Sequence, residues 1–226
     1  MNTTILLVFA TETERASLSL IPGISKSGPR YFWKKVEIKV LVTGVGGIST
    51  AWSMKKWLSS NSLPGLAVNA GIAGSYKDRF TVGDVVLPVT DCFADMGIET
   101  GGRFVTLSEE GITGSSEFPF EDGCIKVNNP YMGEALNLMP GAIAVTVNTA
   151  SGTEGSITRI RNKFNPDIET MEGATFFYIC AVEKIPFLAV RSVSNIVEPG
   201  SRSTWNIPLA VDSLALKIHE ILELID

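Results

Sequence analysis

Short apolar, β-branched runs alternate with amphipathic stretches along the chain. ILLVF (5–9), EIKVLVTG (37–44), GLAVNAG (65–71), GDVVLPV (83–89), AIAVTVN (142–148) and PFLAVRSVSN (186–195) predict strands. Helical patterns fall between them at 13–20, 49–59, 154–164 and 172–182, and an amphipathic helix closes the chain at 207–225. The strand runs are apolar at consecutive positions, as expected of a sheet covered on both faces. The predicted class is therefore α/β: three layers, α/β/α, around a central twisted sheet that is mixed but largely parallel. A chain of 226 residues without linker or repeat suits one domain spanning 1–226. The irregular stretch is 97–129, rich in Gly, Ser and Glu, where Phe118 and Phe120 stand in a polar loop. Loops of that length in a compact domain serve as lids or binding elements, so this segment is expected to cover a ligand.

Composition narrows the function classes. The chain is 45% hydrophobic, enough for a sizeable core, and only 19% charged, with 24 acids against 19 bases. A net charge of −5 leaves no basic footprint for nucleic acid or an anionic membrane. Cys92, Cys124 and Cys180 are widely spaced and form no CxxC, so neither a disulfide framework nor a zinc site is expected. MNTTILLVFATE lacks a basic leading segment and its apolar run ends before Glu12, unlike a signal peptide. The charge-free window 57–76 is broken by Pro64 and several glycines, unlike a membrane span. A soluble cytoplasmic protein is expected.

The chemistry is reached partly by elimination. His219 is the one histidine and is expected on the surface of the last helix, so no Ser-His-Asp or Cys-His pair is plausible. GVGG (44–47) lacks the third glycine of the dinucleotide fingerprint, Ser49 standing there, and predicts a tight turn. No metal or cofactor is called for. What remains are carboxylates, amides and hydroxyls. Glu12 and Glu14 follow the first strand, Glu172 opens a helix after IETM (168–171), and Asn195 ends the strand PFLAVRSVSN. Carboxyl ends of parallel strands border the crevice where ligands bind. Taken singly, each residue also suits an ordinary helix start or turn.

NAGIAGS (69–75), VGDVV (82–86), TMEGA (170–174) and VRSVSN (190–195), in that order and spacing, resemble the nucleoside phosphorylase and nucleosidase superfamily. The resemblance covers essentially the whole chain, and implies that superfamily's fold. TETE (11–14) resembles its hydrolytic branch, which includes methylthioadenosine/S-adenosylhomocysteine nucleosidases. Asn195 and RSTWNIP (202–208) resemble the members of that branch that cleave futalosine. By resemblance, Glu14 is the base that orients water, and Glu172 holds the ribose hydroxyls with Met171 against the sugar. Ala73 and Gly74 supply the backbone of the base pocket. Ser194 orients the Asn195 amide, which donates to O6 of a 6-oxopurine and accepts from a protonated N7. Adenine-type relatives carry Asp at this position. Ile72 stands where the family has Ser. Thr149 and Ala150 stand where adenine-type enzymes place an aromatic on the base, so stacking is expected from Phe9 or the 97–129 segment. The implied ligand is a small-molecule nucleoside, with no nucleic acid or membrane partner, bound by a homo-oligomer (dimer or larger).

Three alternatives stay open: an adenine-type nucleosidase, a purine nucleoside phosphorylase, and a non-catalytic nucleoside-binding or storage protein of the same fold. Phosphate as nucleophile needs cations. FATETERA puts two acids after the first strand, with Arg15 adjacent and Arg30 unplaced.

Overall fold

A computed structural model describes residues 4–28, 30–76, 79–200 and 202–225. The first three residues of MNTTILLVFATE and the Arg202 side chain of RSTWNIP lie outside the described part. The chain begins with β1 (Ile5–Phe9) and α1 (Glu12–Arg15), which runs into a 3₁₀ turn, Ala16–Leu20. β2 (Ile24–Ser27), β3 (Arg30–Trp33), β4 (Val36–Val42), α2 (Gly47–Leu58), β5 (Leu66–Ser75) and β6 (Val85–Phe93) follow. Next come β7 (Gly97–Thr100), β8 (Arg103–Thr106), β9 (Ile125–Lys126), α3 (Met132–Leu138) and β10 (Gly141–Thr146). The last elements are α4 (Glu154–Phe164), β11 (Ile168–Thr170), α5 (Gly173–Val182), β12 (Phe187–Ile196) and α6 (Ile207–Leu224).

The main sheet runs β11-β10-β6-β12-β5-β1-β4-β3-β2. Its long pairings are parallel: β1 lies between β4 and β5, and β12 follows β5 from Phe187↔Ala67 to Ile196↔Ser75. Two short antiparallel pairings, β11 with β5 and β12 with β6, join β5, β12, β6, β10 and β11 into a closed ring. Apolar residues at every position of β1 serve two cores. Ile5, Leu7 and Phe9 pack in one cluster with Leu214 and Ile218 of α6. Leu6 and Val8 pack in another with Met54 of α2 and Phe176 and Cys180 of α5. This is the expected α/β arrangement, with helices on both faces. Among the described residues, no helix is long and apolar enough to cross a membrane.

Three departures have local causes. The β2–β3 hairpin was not signalled because its strands are only four residues each and β2, ISKS, is polar and largely exposed. α3 has only Ala135 buried, too little for a helical stripe. His219 is half-buried rather than fully exposed: its ring meets Trp33 edge-on at 4.9 Å between centroids, because β3 folds that indole over α6.

Candidate active site

A cavity of about 470 Å³ opens at the carboxyl ends of β1, β5, β11 and β12. It brings together Glu14, Ala73, Gly74, Met171, Glu172, Ser194 and Asn195, seven of the eight residues singled out from the sequence. The eighth, Thr149, is exposed and does not line it; Ala150 and Ser151 do. Phe9 is fully buried in the core and cannot stack on a ligand, because β1 is covered on both faces.

Glu14 is fixed by its own helix start. Thr11 caps α1, its side chain accepting from the Glu14 N–H at 3.2 Å, while Oε2 of Glu14 accepts from the N–H and hydroxyl of Thr11 at 2.9 and 2.8 Å. T-x-x-E is thus a reciprocal capping box. The other oxygen, Oε1, accepts from Ile72 N–H at 3.1 Å. A β-carbon on Gly71 would lie 2.7 Å from that oxygen, so the glycine of NAGIAGS makes room for the carboxylate. Glu12 points away and pairs with Arg15. Arg15 also contacts the Tyr31 hydroxyl, and Arg30 pairs with Glu37; neither arginine lines the cavity.

Glu172 precedes α5 and is buried. Its Oε1 accepts from Gly46 N–H at 2.8 Å. GVGG is therefore more than a tight turn: Gly46, at φ +89°, aims a backbone donor across the site. Burial pushes the Glu172 carboxyl above the ordinary range, opposed by the Gly46 hydrogen bond and by Arg191, and reinforced by Glu14.

Arg191 was missed by the sequence reading. It is 2% exposed, and its guanidinium donates to the Asn69 carbonyl at 2.7 Å, to the Val190 carbonyl at 3.1 Å and to the Asn69 side chain. It interacts electrostatically with Glu172, Glu14 and Asp91, while burial lowers its own pKa. Its signal was plain in hindsight: a charge in the middle of the apolar strand FLAVRSV demands buried counter-charges.

At the other end, the Ser194 hydroxyl donates to Asn195 Oδ1 at 2.8 Å, and Asn195 Nδ2 donates to the Ile196 carbonyl at 3.2 Å. One amide hydrogen and one lone pair are left for a ligand. Glu169, a second acid that the sequence reading did not single out, also lines the cavity. It accepts from Ser151 N–H at 2.8 Å, Ser151 Oγ at 2.6 Å and the Tyr76 hydroxyl. Trp205 of RSTWNIP is the aromatic in the wall.

The 97–129 segment is not a lid over this cavity. It begins as the β7–β8 hairpin, and Phe118 and Phe120 line a second cavity with Phe164 and Tyr178. Phe120 is held there by Tyr178, 6.0 Å between ring centroids. Among the described residues, no group of three or more His, Cys, Asp or Glu is placed to hold a metal ion.

Comparison with known proteins places the chain in a family. The family model of the phosphorylase superfamily matches residues 5–225. Futalosine hydrolase of Streptomyces coelicolor is 29% identical over 77% of this chain and 74% of its own length. The 5'-methylthioadenosine/S-adenosylhomocysteine nucleosidase of Buchnera aphidicola is 25% identical, over 85% of this chain and 80% of its own. The native structure of Helicobacter pylori futalosine hydrolase shares the fold, with a TM-score of 0.80 at 14% identity, covering 99% of this chain and 98% of that one. From β1 to the end of α6, then, the chain belongs to the phosphorylase superfamily.

Proposed function

We propose that this protein hydrolyses the N-glycosidic bond of a 6-oxopurine nucleoside. The substrate is futalosine, cleaved to hypoxanthine and dehypoxanthine futalosine on a route to menaquinone. One observation carries the reading: two carboxylates, Glu14 and Glu172, line one cavity together with the Asn195 amide, and both interact electrostatically with Arg191, a buried guanidinium that does not itself line the cavity. Glu14 accepts a proton from the water whose oxygen attacks C1′, while the C1′–N9 bond breaks and the purine takes up a proton from solvent at N7. Glu14 then releases its proton to solvent, so that the net change is addition of one water across the bond. The sugar becomes oxocarbenium-like, and the two carboxylates face that positive charge. Glu172 holds the ribose hydroxyls. Arg191 offsets the repulsion between the two acids, so both can serve in one site.

Water is favoured over phosphate by charge. Glu14, Glu169, Glu172 and Glu198 line the cavity, and no Lys or Arg does among the described residues. A phosphate dianion needs cationic partners there. The adenine-type alternative is disfavoured by Asn195, whose remaining amide hydrogen suits O6. Free thiols at Cys92, Cys124 and Cys180 support a cytoplasmic setting. Ile48 and Trp52, 86% and 72% exposed on α2, support a homo-oligomer with an apolar interface.

The test incubates purified protein with futalosine, inosine and methylthioadenosine, with and without phosphate, and follows base release by chromatography. Hypoxanthine from futalosine without phosphate is expected. Adenine release alone would make it an adenine-type enzyme, a phosphate requirement a phosphorylase, and no release a binding protein.

A further inference from the structure

The geometry points to Glu169 as a second specificity residue, one that accepts from N1–H of the leaving purine. A 6-oxopurine carries that hydrogen and adenine does not. The inference rests on the proposed 6-oxopurine nucleosidase activity and adds a recognition site to it.

Three observations place Glu169 there. First, it is a buried acid, 7% exposed, with no basic side chain at ion-pair distance among the described residues. An acid in that position needs donors, and the protein supplies an incomplete set. Oε2 receives the Tyr76 hydroxyl and Ser151 Oγ, whereas Oε1 receives only Ser151 N–H. A carboxylate oxygen offers two lone pairs, so Oε1 keeps one open, and the side chain lines the cavity.

Second, strand register sets Glu169 opposite Asn195 across the cavity floor. Gly74 of β5 pairs with Glu169 of β11 on one side and with Asn195 of β12 on the other. Two strand spacings separate the outer backbones, roughly 10 Å, and both side chains line the cavity between them. From those places the two side chains can meet neighbouring positions of one purine edge, where N1–H, O6 and N7 lie side by side. Third, Gly74 keeps the floor clear. A β-carbon there would lie 2.7 Å from Val197 Cγ2 and 3.2 Å from Asn195 Nδ2.

The chemistry then discriminates twice. A 6-oxopurine presents an acceptor at O6 and a donor at N1, matching the Asn195 amide hydrogen and the Glu169 carboxylate. Adenine presents the reverse at both positions. Its N1 lone pair would face Oε1, leaving two buried acceptors without a hydrogen.

The experiment compares kcat/KM for inosine and adenosine in the parent, Glu169→Leu and Glu169→Gln. It also compares calorimetric binding of hypoxanthine and 1-methylhypoxanthine to the parent. The leucine removes the acceptor; the glutamine keeps an oxygen available to Ser151 N–H and is the conservative rescue should the leucine variant unfold. The inosine-to-adenosine ratio should fall on the order of ten- to a hundredfold in Glu169→Leu, and by less in Glu169→Gln. 1-Methylhypoxanthine, which lacks N1–H, should bind the parent on the order of tenfold more weakly than hypoxanthine. A Glu169 that merely holds the Ser151 loop would slow both nucleosides equally and leave the ratio unmoved. That result in a parent that prefers inosine overturns this inference alone. A parent that cleaves only adenosine overturns the functional reading itself.

Discussion

A β-carbon on Gly173 would lie 2.0 Å from Oδ2 of Asp91. A side chain after Glu172 would therefore force Asp91 to move, which favours glycine there although alanine is the better helix former by about 1 kcal/mol. Asp91 is fully buried beneath the start of α5. Its Oδ1 accepts from Thr146 Oγ1 at 3.0 Å, and the same threonine oxygen accepts from Ala174 N–H at 2.8 Å. This cluster sets where α5 begins, and so where Glu172 stands.

Gly173→Ala should accordingly destabilise the protein by about 1–3 kcal/mol, as overpacking does. It should also lower kcat/KM, because Glu172 is displaced. Denaturant titrations of Gly173→Ala, Asp91→Ala and the double variant form the check. The double variant should be more stable than the two losses added together. Simple additivity would mean that the clash is relieved some other way.

Asp91 also predicts a pH dependence of stability. Burial pushes its carboxyl up to about 7 from the ordinary 3.8, partly opposed by the Thr146 hydrogen bond and by Arg191. Between these two values the folded protein holds a proton that the unfolded chain has released. Stability from this group is therefore full below about pH 4, falls as pH rises, and levels off above 7. At about 1.4 kcal/mol per pKa unit the upper bound is roughly 4 kcal/mol. Urea midpoints of parent and Asp91→Asn from pH 4.5 to 8 should diverge with rising pH, the variant lacking this decline. Parallel curves would remove Asp91 as the source.

How much of this was legible beforehand depended on range. β1 announces itself through five consecutive apolar residues, and Glu14, Glu172 and Asn195 through their places at element boundaries. Such positions need only local pattern plus the rule that parallel strands present their carboxyl ends to one crevice. Arg191 and Glu169 needed more. Their partners, Asn69 and Ser151, lie far off in sequence and meet them only in the closed ring of β5, β12, β6, β10 and β11. The antiparallel β11–β5 pairing that closes the ring spans two registered residues, too few to leave a periodic trace. The same limit explains Thr149: the chain reaches the cavity at Ala150 and Ser151, where Glu169 draws Ser151 in.

Glu14→Gln tests the base. The amide retains an oxygen for Ile72 N–H but turns its NH2 toward the Thr11 N–H that Oε2 accepted from, so the helix cap weakens and a melting curve should report that loss separately. The amide cannot take a proton from water. Turnover should fall roughly 10²- to 10⁴-fold with KM little changed. Near-normal turnover would put the base elsewhere in the cavity. Glu12 is a poor second choice, since it faces solvent and Arg15.

The last prediction concerns Asn195→Asp and the choice between purines. In the parent, Ser194 occupies one lone pair of Oδ1 and the Ile196 carbonyl takes one amide hydrogen, leaving a donor for O6 and an acceptor for N7–H. An aspartate keeps the Ser194 hydrogen bond but offers no donor. It sets acceptors against both O6 and the Ile196 carbonyl. A buried acceptor without a hydrogen costs about 1–3 kcal/mol, and each 1.4 kcal/mol is about tenfold. The kcat/KM ratio for futalosine over its 6-amino analogue should therefore fall by roughly one to two orders of magnitude. Adenine presents its 6-amino group as a donor, so activity on the analogue should fall less or rise. The clash with the Ile196 carbonyl lowers stability regardless of substrate, which a melting curve reports separately from the ratio. A ratio that stays put while the melting point drops would mean that Asn195 braces the end of β12 without reading the base.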